Sequence, residues 1–295
     1  MANPVLSRPE AFQRAPGAAP QYQQPYGQPY AGYGQQPYAQ QPYAQQPYAQ
    51  QPGQPYTQPQ YGQPQYGQPA PRAGLMTIED VITKSGVTMG VLFVVAAAAF
   101  LLMPLSLVTP TLIVTAIVGF VTVLLVSMRR VVSPAAVLAY SVVEGLFIGG
   151  LSKMFEYLYP GIVSQAVLGT FVAAGVTLAA YKTLRIRVTD KFRRIVFIAT
   201  LGIAAMYLIN LVVSLFGVST GLVAIGPSAG VLSWIVSAVA IVLAVANLIM
   251  DFDYIERGVA NGAPASESWR AAFGLTVTMV WLYTEILRIL SYFRN

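Results

Sequence analysis

Four acidic side chains stand within apolar stretches of this 295-residue chain, and their positions are the ones best suited to chemistry. Glu144 lies in SVVEGLFIGG, Glu285 lies in WLYTEILRIL, and Asp251 and Asp253 share the stretch ANLIMDFDYIER. An ionised carboxylate deep in a bilayer-spanning segment costs on the order of 2.5–3.5 kcal/mol, so such a group is by default a functional one. Carboxylate oxygens bind hard cations such as Ca²⁺ and also hold protons. We therefore predict ion or proton sites at all four positions, with Asp253 and Glu285 as metal ligands.

Each acid also has a structural explanation, and the sequence leaves both explanations open. Glu144 can be a neutral acid that hydrogen-bonds a neighbouring helix, and Glu285 can pair with Arg288 three residues later. Asp251 and Asp253 can be water-facing acids at a helix end, although the helix dipole disfavours negative charge there.

The composition excludes most catalytic chemistry. The chain has no histidine and no cysteine, which removes Ser-His-Asp triads, thiolate nucleophiles, Fe–S clusters and the zinc sites built from these residues. Asp251 and Asp253 lie roughly 200° apart around a helix, so they cannot face each other as an aspartyl dyad. We expect no enzyme activity and no resident cofactor, with Ca²⁺ bound only transiently.

The elements that position these acids are predicted to be membrane helices. Only 9% of residues are charged and 55% are apolar, whereas a soluble chain has about 25% charged residues. Seven apolar segments each have about the length that crosses a hydrocarbon core of ~30 Å. They are 85–103, 110–128, 134–152, 161–181, 194–216, 231–250 and 270–291. Helix-breaking prolines fall at or between their ends, at Pro104, Pro110, Pro134, Pro160 and Pro227. The predicted fold class is an all-α polytopic bundle of seven transmembrane helices.

A separate region precedes these helices. Residues 1–75 are rich in Pro, Tyr and Gln and include three consecutive PYAQQ repeats at 37–51. Between residues 21 and 71 there is no Val, Ile, Leu or Phe, so this region cannot bury enough apolar surface to offset its conformational entropy. We predict a disordered tail over 1–75, either a spacer or a segment that docks a partner, and a transmembrane domain over 76–295.

Positive charge is concentrated on the tail's side of the predicted bundle. Fourteen basic residues fall on that side: Arg8, Arg14, Arg72, Lys84, Arg129, Arg130, Lys182, Arg185, Arg187, Lys191, Arg193, Arg194, Arg257 and Arg270. Three fall on the other side, namely Lys153, Arg288 and Arg294. The positive-inside rule then predicts a cytoplasmic N-terminus and, with seven spans, an extracytoplasmic C-terminus. The basic segment 182–194 is predicted to contact anionic lipid, and no nucleic-acid partner is expected.

Four short stretches, taken in order, resemble the Bax inhibitor (transmembrane Bax inhibitor motif) family in its bacterial form. They are the turn Met128-Arg129-Arg130, EGLFIGGLS at 144–152, FDYIE at 252–256 and LYTEILRIL at 282–290. The resemblance covers about 80–291 and implies a central seventh helix surrounded by six others, in a bacterial cytoplasmic membrane. It also implies a calcium leak pathway, gated on its cytoplasmic side by an acid pair between helices six and seven and linked to an arginine after helix two.

Carried over residue by residue, the resemblance assigns Asp253 to the sixth-helix acid, with Asp251 as the alternative, and Arg129 to the gate-linked basic position. Thr278 stands where the family has its seventh-helix aspartate. Glu285 lies seven residues later on the same helix face. The paired-acid gate is therefore either absent or rebuilt with Glu285 or with the acid of the third span.

The sequence leads to two alternative functions. The first is a cation leak channel or transporter, for calcium or linked to protons, that uses the intramembrane carboxylates. The second is a non-conducting membrane regulator that binds another membrane protein, such as a quality-control protease, through the long tail.

Overall fold

The computed structural model describes residues 74–294. The predicted tail therefore lies outside the described residues, apart from Gly74 and Leu75. The chain enters the bundle beside the last interhelical loop, where the Met76 N–H donates a hydrogen bond of 2.8 Å to the Ala263 carbonyl.

Seven helices follow one another within residues 74–294. They are α1 (Ile78–Leu102), α2 (Leu105–Met128), α3 (Pro134–Leu158), α4 (Ile162–Thr183), α5 (Asp190–Leu215), α6 (Val231–Ala260) and α7 (Glu267–Tyr292). All seven are long and apolar enough to cross a membrane. The prediction of an all-α, seven-helix, multi-pass membrane protein is confirmed.

Local side-chain caps explain where several helices begin. Thr77 Oγ1 accepts a hydrogen bond of 3.1 Å from the Asp80 N–H at the start of α1. Ser133 caps α3, and Pro134 is the first helical residue there, a position where the missing proline N–H costs nothing. Thr189 caps α5 in the same way.

Several predicted boundaries differ from the structure. Helix α1 begins at Ile78 instead of 85, and α3 continues to Leu158 instead of ending at 152. The sixth helix continues to Ala260, ten residues beyond the predicted end at 250, because its polar continuation still buries a face that includes Tyr254 and Gly258. Pro110 lies inside α2 instead of before it, since α2 begins directly after Pro104. A proline this close to the helix start removes only one backbone hydrogen bond.

The helices differ sharply in burial. Fifteen residues of α7 are buried, and α7 packs against α1, α3, α4 and α6. This arrangement agrees with the central seventh helix that the resemblance implied. Helix α5 has two buried residues, Val196 and Thr200, and packs chiefly against α6. Helix α7 is therefore the core of the bundle and α5 lies at its periphery.

Helices α1 and α3 pack closely against each other, and glycines permit this contact. A Cβ atom at Gly149 would overlap the Ala96 carbonyl oxygen and would lie 2.6 Å from Ala99 Cβ. A Cβ atom at Gly145 would lie 2.8 Å from the Leu92 carbonyl oxygen. Neither glycine can carry a side chain unless the two helices separate.

Backbone and side-chain contacts identify one end of the bundle, which we call the basic end. It comprises the start of α1 and the segments 129–133, 184–189 and 261–266. The Arg270 side chain reaches the Arg129 and Arg130 carbonyls there, and Arg257 reaches the Val188 carbonyl. The successive helices therefore alternate in direction.

Candidate ion site

Asp251 lies at the contact between α6 and α7. Its side chain is fully buried, and its Oδ2 accepts a hydrogen bond of 2.6 Å from Thr278 Oγ1. Thr278 is itself buried, and it is the residue that the resemblance aligned with the family's seventh-helix aspartate. The structure therefore brings Asp251, the alternative assignment, opposite the seventh helix at this position.

Asp253 faces a different neighbour, as expected for residues roughly 200° apart on one helix. Its Oδ2 lies 3.1 Å from Arg193 Nη2 of α5 and 3.0 Å from Arg257 Nε one turn along α6. Arg257 also donates to the Val188 carbonyl at 2.7 Å. Asp253 is thus the centre of an ion-pair cluster that joins α5, α6 and the loop before α5. Neither aspartate terminates α6, so the explanation as water-facing acids at a helix end does not apply.

Glu285 is fully buried in the half of α7 that lies far from the basic end. Its Oε1 accepts hydrogen bonds from Tyr207 Oη at 2.7 Å and from Trp281 Nε1 at 3.3 Å. Its Oε2 lies 3.2 Å from Arg288 Nη1, an ion pair without the geometry of a hydrogen bond. The local pair with Arg288 that the spacing suggested is therefore formed, and Tyr207 extends it to α5.

Glu144 is half-buried in the middle of α3 and lines a cavity with Gly119 of α2 and Tyr207 of α5. Tyr140, one turn earlier on α3, lines the same cavity. Among residues 74–294, no ion pair includes Glu144.

The structure does not bring the proposed metal ligands Asp253 and Glu285 together. At about 1.5 Å per residue, Asp253 lies about 10 Å from the basic end of α6 and Glu285 lies about 27 Å from the same end of α7. Within the described residues, no group of three or more Asp, Glu, His or Cys side chains is arranged to hold a metal ion.

At Arg129, which the resemblance assigned to the gate-linked basic position, the structure shows a contact of the backbone. The Arg129 side chain is exposed, and it is the backbone carbonyls of Arg129 and Arg130 that accept hydrogen bonds from Arg270, at 3.2 and 2.5 Å. Arg270 also binds Glu267 at 2.6 Å, and Glu267 accepts a hydrogen bond of 2.9 Å from Tyr254.

Arg270 and Glu267 were not among the predicted site residues. They stand three residues apart in the first turn of α7, a spacing that brings opposite charges together on a helix. That spacing was the available signal. It does not reveal that both side chains are buried, at 1% and 5% exposure, between the end of α2 and helix α6.

Comparison with known proteins supports the fold and the resemblance. A family model described as Bax inhibitor 1 like matches residues 3–295, and this match extends beyond the 80–291 on which the resemblance rested. No curated protein matches the chain. Because the family model spans nearly the whole sequence, the chain belongs to the Bax inhibitor 1 like family.

Proposed function

We propose that this protein is a gated cation leak pathway, carrying Ca²⁺ or protons, and that Asp251 lies on the path of the ion. The observation that carries the proposal is the complete burial of Asp251 within α6 at its contact with α7. A carboxylate at such a position is costly and is by default functional. Its oxygens are suitable ligands for a hard cation.

The contacts around the two aspartates suggest how the pathway closes. Thr278 binds Asp251 from the α7 side, while Arg193 binds Asp253 from the α5 side. In the proposed mechanism these contacts hold α5, α6 and α7 together at the basic end. Opening then separates α6 from Thr278 and exposes the Asp251 carboxylate to the ion.

Ion flux into proteoliposomes tests this proposal. The purified full-length protein is reconstituted in liposomes that contain a Ca²⁺ or pH indicator, at matched protein levels. Asp251→Asn should reduce the flux to that of protein-free liposomes, because the charged ligand is lost. Thr278→Val should raise the flux above wild type, because it keeps the carboxylate and removes the closing hydrogen bond. Asp190→Asn is the matched control, since it makes the same change at an exposed acid and should leave the flux unchanged.

Equal flux in wild type, Asp251→Asn and Thr278→Val would contradict the leak proposal. The second function, a regulator that binds another membrane protein, would then take its place.

We further propose that the basic end faces the cytoplasm of a bacterial cell. Eleven of the basic residues assigned to that side lie within residues 74–294, against three on the opposite side, and the positive-inside rule gives this orientation. Reporter fusions at the two termini should report opposite sides of the membrane. A report of the same side from both fusions would contradict this orientation.

Anionic lipid is the proposed partner of the loop between α4 and α5. Arg185 and Arg187 are exposed there, at the level where basic side chains attract anionic headgroups. Replacing both by Gln should weaken the preference of the reconstituted protein for anionic over zwitterionic lipid. An unchanged preference would exclude this loop as the contact.

A further inference from the structure

An apolar cavity of about 330 Å³ lies between four helices of the bundle. Its walls come from α2, α3, α5 and α7, and aromatic rings form a large part of them. The rings belong to Phe120, Tyr140, Phe147, Tyr207 and Trp281. The volume is within the range of sites for small molecules, which begins at about 300 Å³.

The cavity opens sideways towards the hydrocarbon core. Helices α2 and α5 form the outer wall of the cavity. Helix α5 packs chiefly against α6 and makes no extensive contact with α2, so a gap separates α2 from α5. Ile117 of α2 and Leu208 of α5 line the cavity and are 45% and 41% exposed. Since both residues lie in membrane-spanning helices, a ligand reaches the cavity from the bilayer and must itself be lipophilic.

Glu144 gives this cavity an unusual charge. It is the single acid of the lining, and the lining contains no Lys or Arg. Elsewhere in the described bundle Asp253, Glu267 and Glu285 each lie within 3.2 Å of an arginine. Gly119 leaves room for the carboxylate, because a Cβ atom there would lie 3.0 Å from Glu144 Oε2. A half-buried carboxylate without a basic partner is complementary to a cation supplied from outside.

We propose that this cavity binds a lipophilic amine, with its ammonium group against Glu144 and its apolar body against the aromatic walls. An ammonium group among aromatic faces gains cation–π attraction in addition to the ion pair. The site is distinct from the aspartates of the proposed leak pathway, because its acid lies on α3 and its lining includes neither Asp251 nor Asp253 of α6.

Quenching of tryptophan fluorescence tests the proposal directly. The chain has three tryptophans, so the double variant Trp234→Phe, Trp269→Phe leaves Trp281 in the cavity wall as the single reporter. The full-length protein is placed in nanodiscs of zwitterionic lipid. It is then titrated with 8-bromo-N,N-dimethyloctylamine and with neutral 8-bromooctanol, compared at equal concentrations in the membrane.

We expect the amine to quench Trp281 saturably. Half-maximal quenching by the amine should need a membrane concentration about tenfold or more below the one needed with the alcohol, a difference typical of a desolvated charge pair. Glu144→Gln should abolish this preference, whereas Asp190→Asn, at an exposed acid, should keep it. Ala204→Phe, which fills the cavity from α5 and leaves Glu144 in place, should remove saturable quenching by both probes.

Three results would overturn the proposal. The first is equal and unsaturable quenching by amine and alcohol in the parent protein, which indicates partition into the lipid alone. The second is an amine preference that survives Glu144→Gln. The third is saturable quenching that survives Ala204→Phe, and this result decides the matter even if the Glu144 variant fails to fold.

Discussion

Carboxylate side chains have different surroundings at the basic end of the bundle and in the cavity between α2, α3, α5 and α7. At the basic end Glu267 and Asp253 lie against arginines that also reach backbone carbonyls of other segments. In the cavity Glu144 has no basic partner among the described residues. Charge therefore joins helices at the basic end, whereas in the cavity it remains available to a ligand. The difference predicts that substitutions at the basic end cost stability and that the substitution in the cavity does not.

The largest effect is expected from Arg270→Ala. This substitution leaves Glu267 buried without its counter-charge and leaves the carbonyls at the end of α2 without their donor. Breaking a buried ion pair by removing one partner costs about 3–5 kcal/mol. Equilibrium unfolding in mixed detergent micelles measures the loss. Arg130→Ala is the control, because Arg270 contacts the backbone carbonyl of that residue and its side chain is exposed. Equal losses in the two variants would show that Arg270 has no special role.

Packing shows the same contrast, since α1 and α3 are in close contact while α2 and α5 stand apart. Gly149→Ala should lower the free energy of unfolding by about 1–3 kcal/mol, the usual cost of overpacking, because its Cβ meets the backbone of α1. The adjacent Gly150→Ala should cost much less, since its Cβ would lie 3.5 Å from Leu112 Cδ2, an ordinary contact. The same unfolding titration compares the two. Similar losses would contradict the idea that α1–α3 contact is the constraint.

The sequence predicted the helices well for physical reasons. Hydrocarbon thickness sets span length, so the number and order of the helices could be found from apolar runs. The end of α6 could not be found in this way. Its last ten residues are not an apolar run, and they stay helical because they bury a face that includes Tyr254 and Gly258.

The candidate site was only partly predictable. The local pair of Glu285 with Arg288 follows from helix spacing. The choice of Asp251 over Asp253 as the partner of Thr278 depends on the rotation of α6 against α7, which one helix's sequence does not determine. Among the described residues no arginine lines the cavity beside Glu144, and this depends likewise on how four helices assemble around it.

The free energy of unfolding should change by less than about 1 kcal/mol in Glu144→Gln, a value typical of one net hydrogen bond. No arginine is left without a partner by this change. Glu267→Gln is the matched substitution at the basic end, and it should cost several times more because Arg270 stays buried. If Glu144→Gln proves as costly as Glu267→Gln, the cavity acid is structural and the contrast between the two regions fails.

The smallest effect is expected from Lys182→Ala, at the exposed margin of the basic end. Lys182 Nζ lies 3.5 Å from Glu256 Oε1, and the two side chains are 57% and 55% exposed. Water screens such a pair, and exposed pairs contribute roughly 0–1 kcal/mol. Glu256 also keeps its hydrogen bond of 2.6 Å from Tyr181, so the substitution leaves no acid without a partner. The unfolding free energy should therefore stay within about 0.5 kcal/mol of wild type, and the small difference should vanish in high salt. A loss approaching that of Arg270→Ala would mean that burial does not determine which ion pairs hold the basic end together.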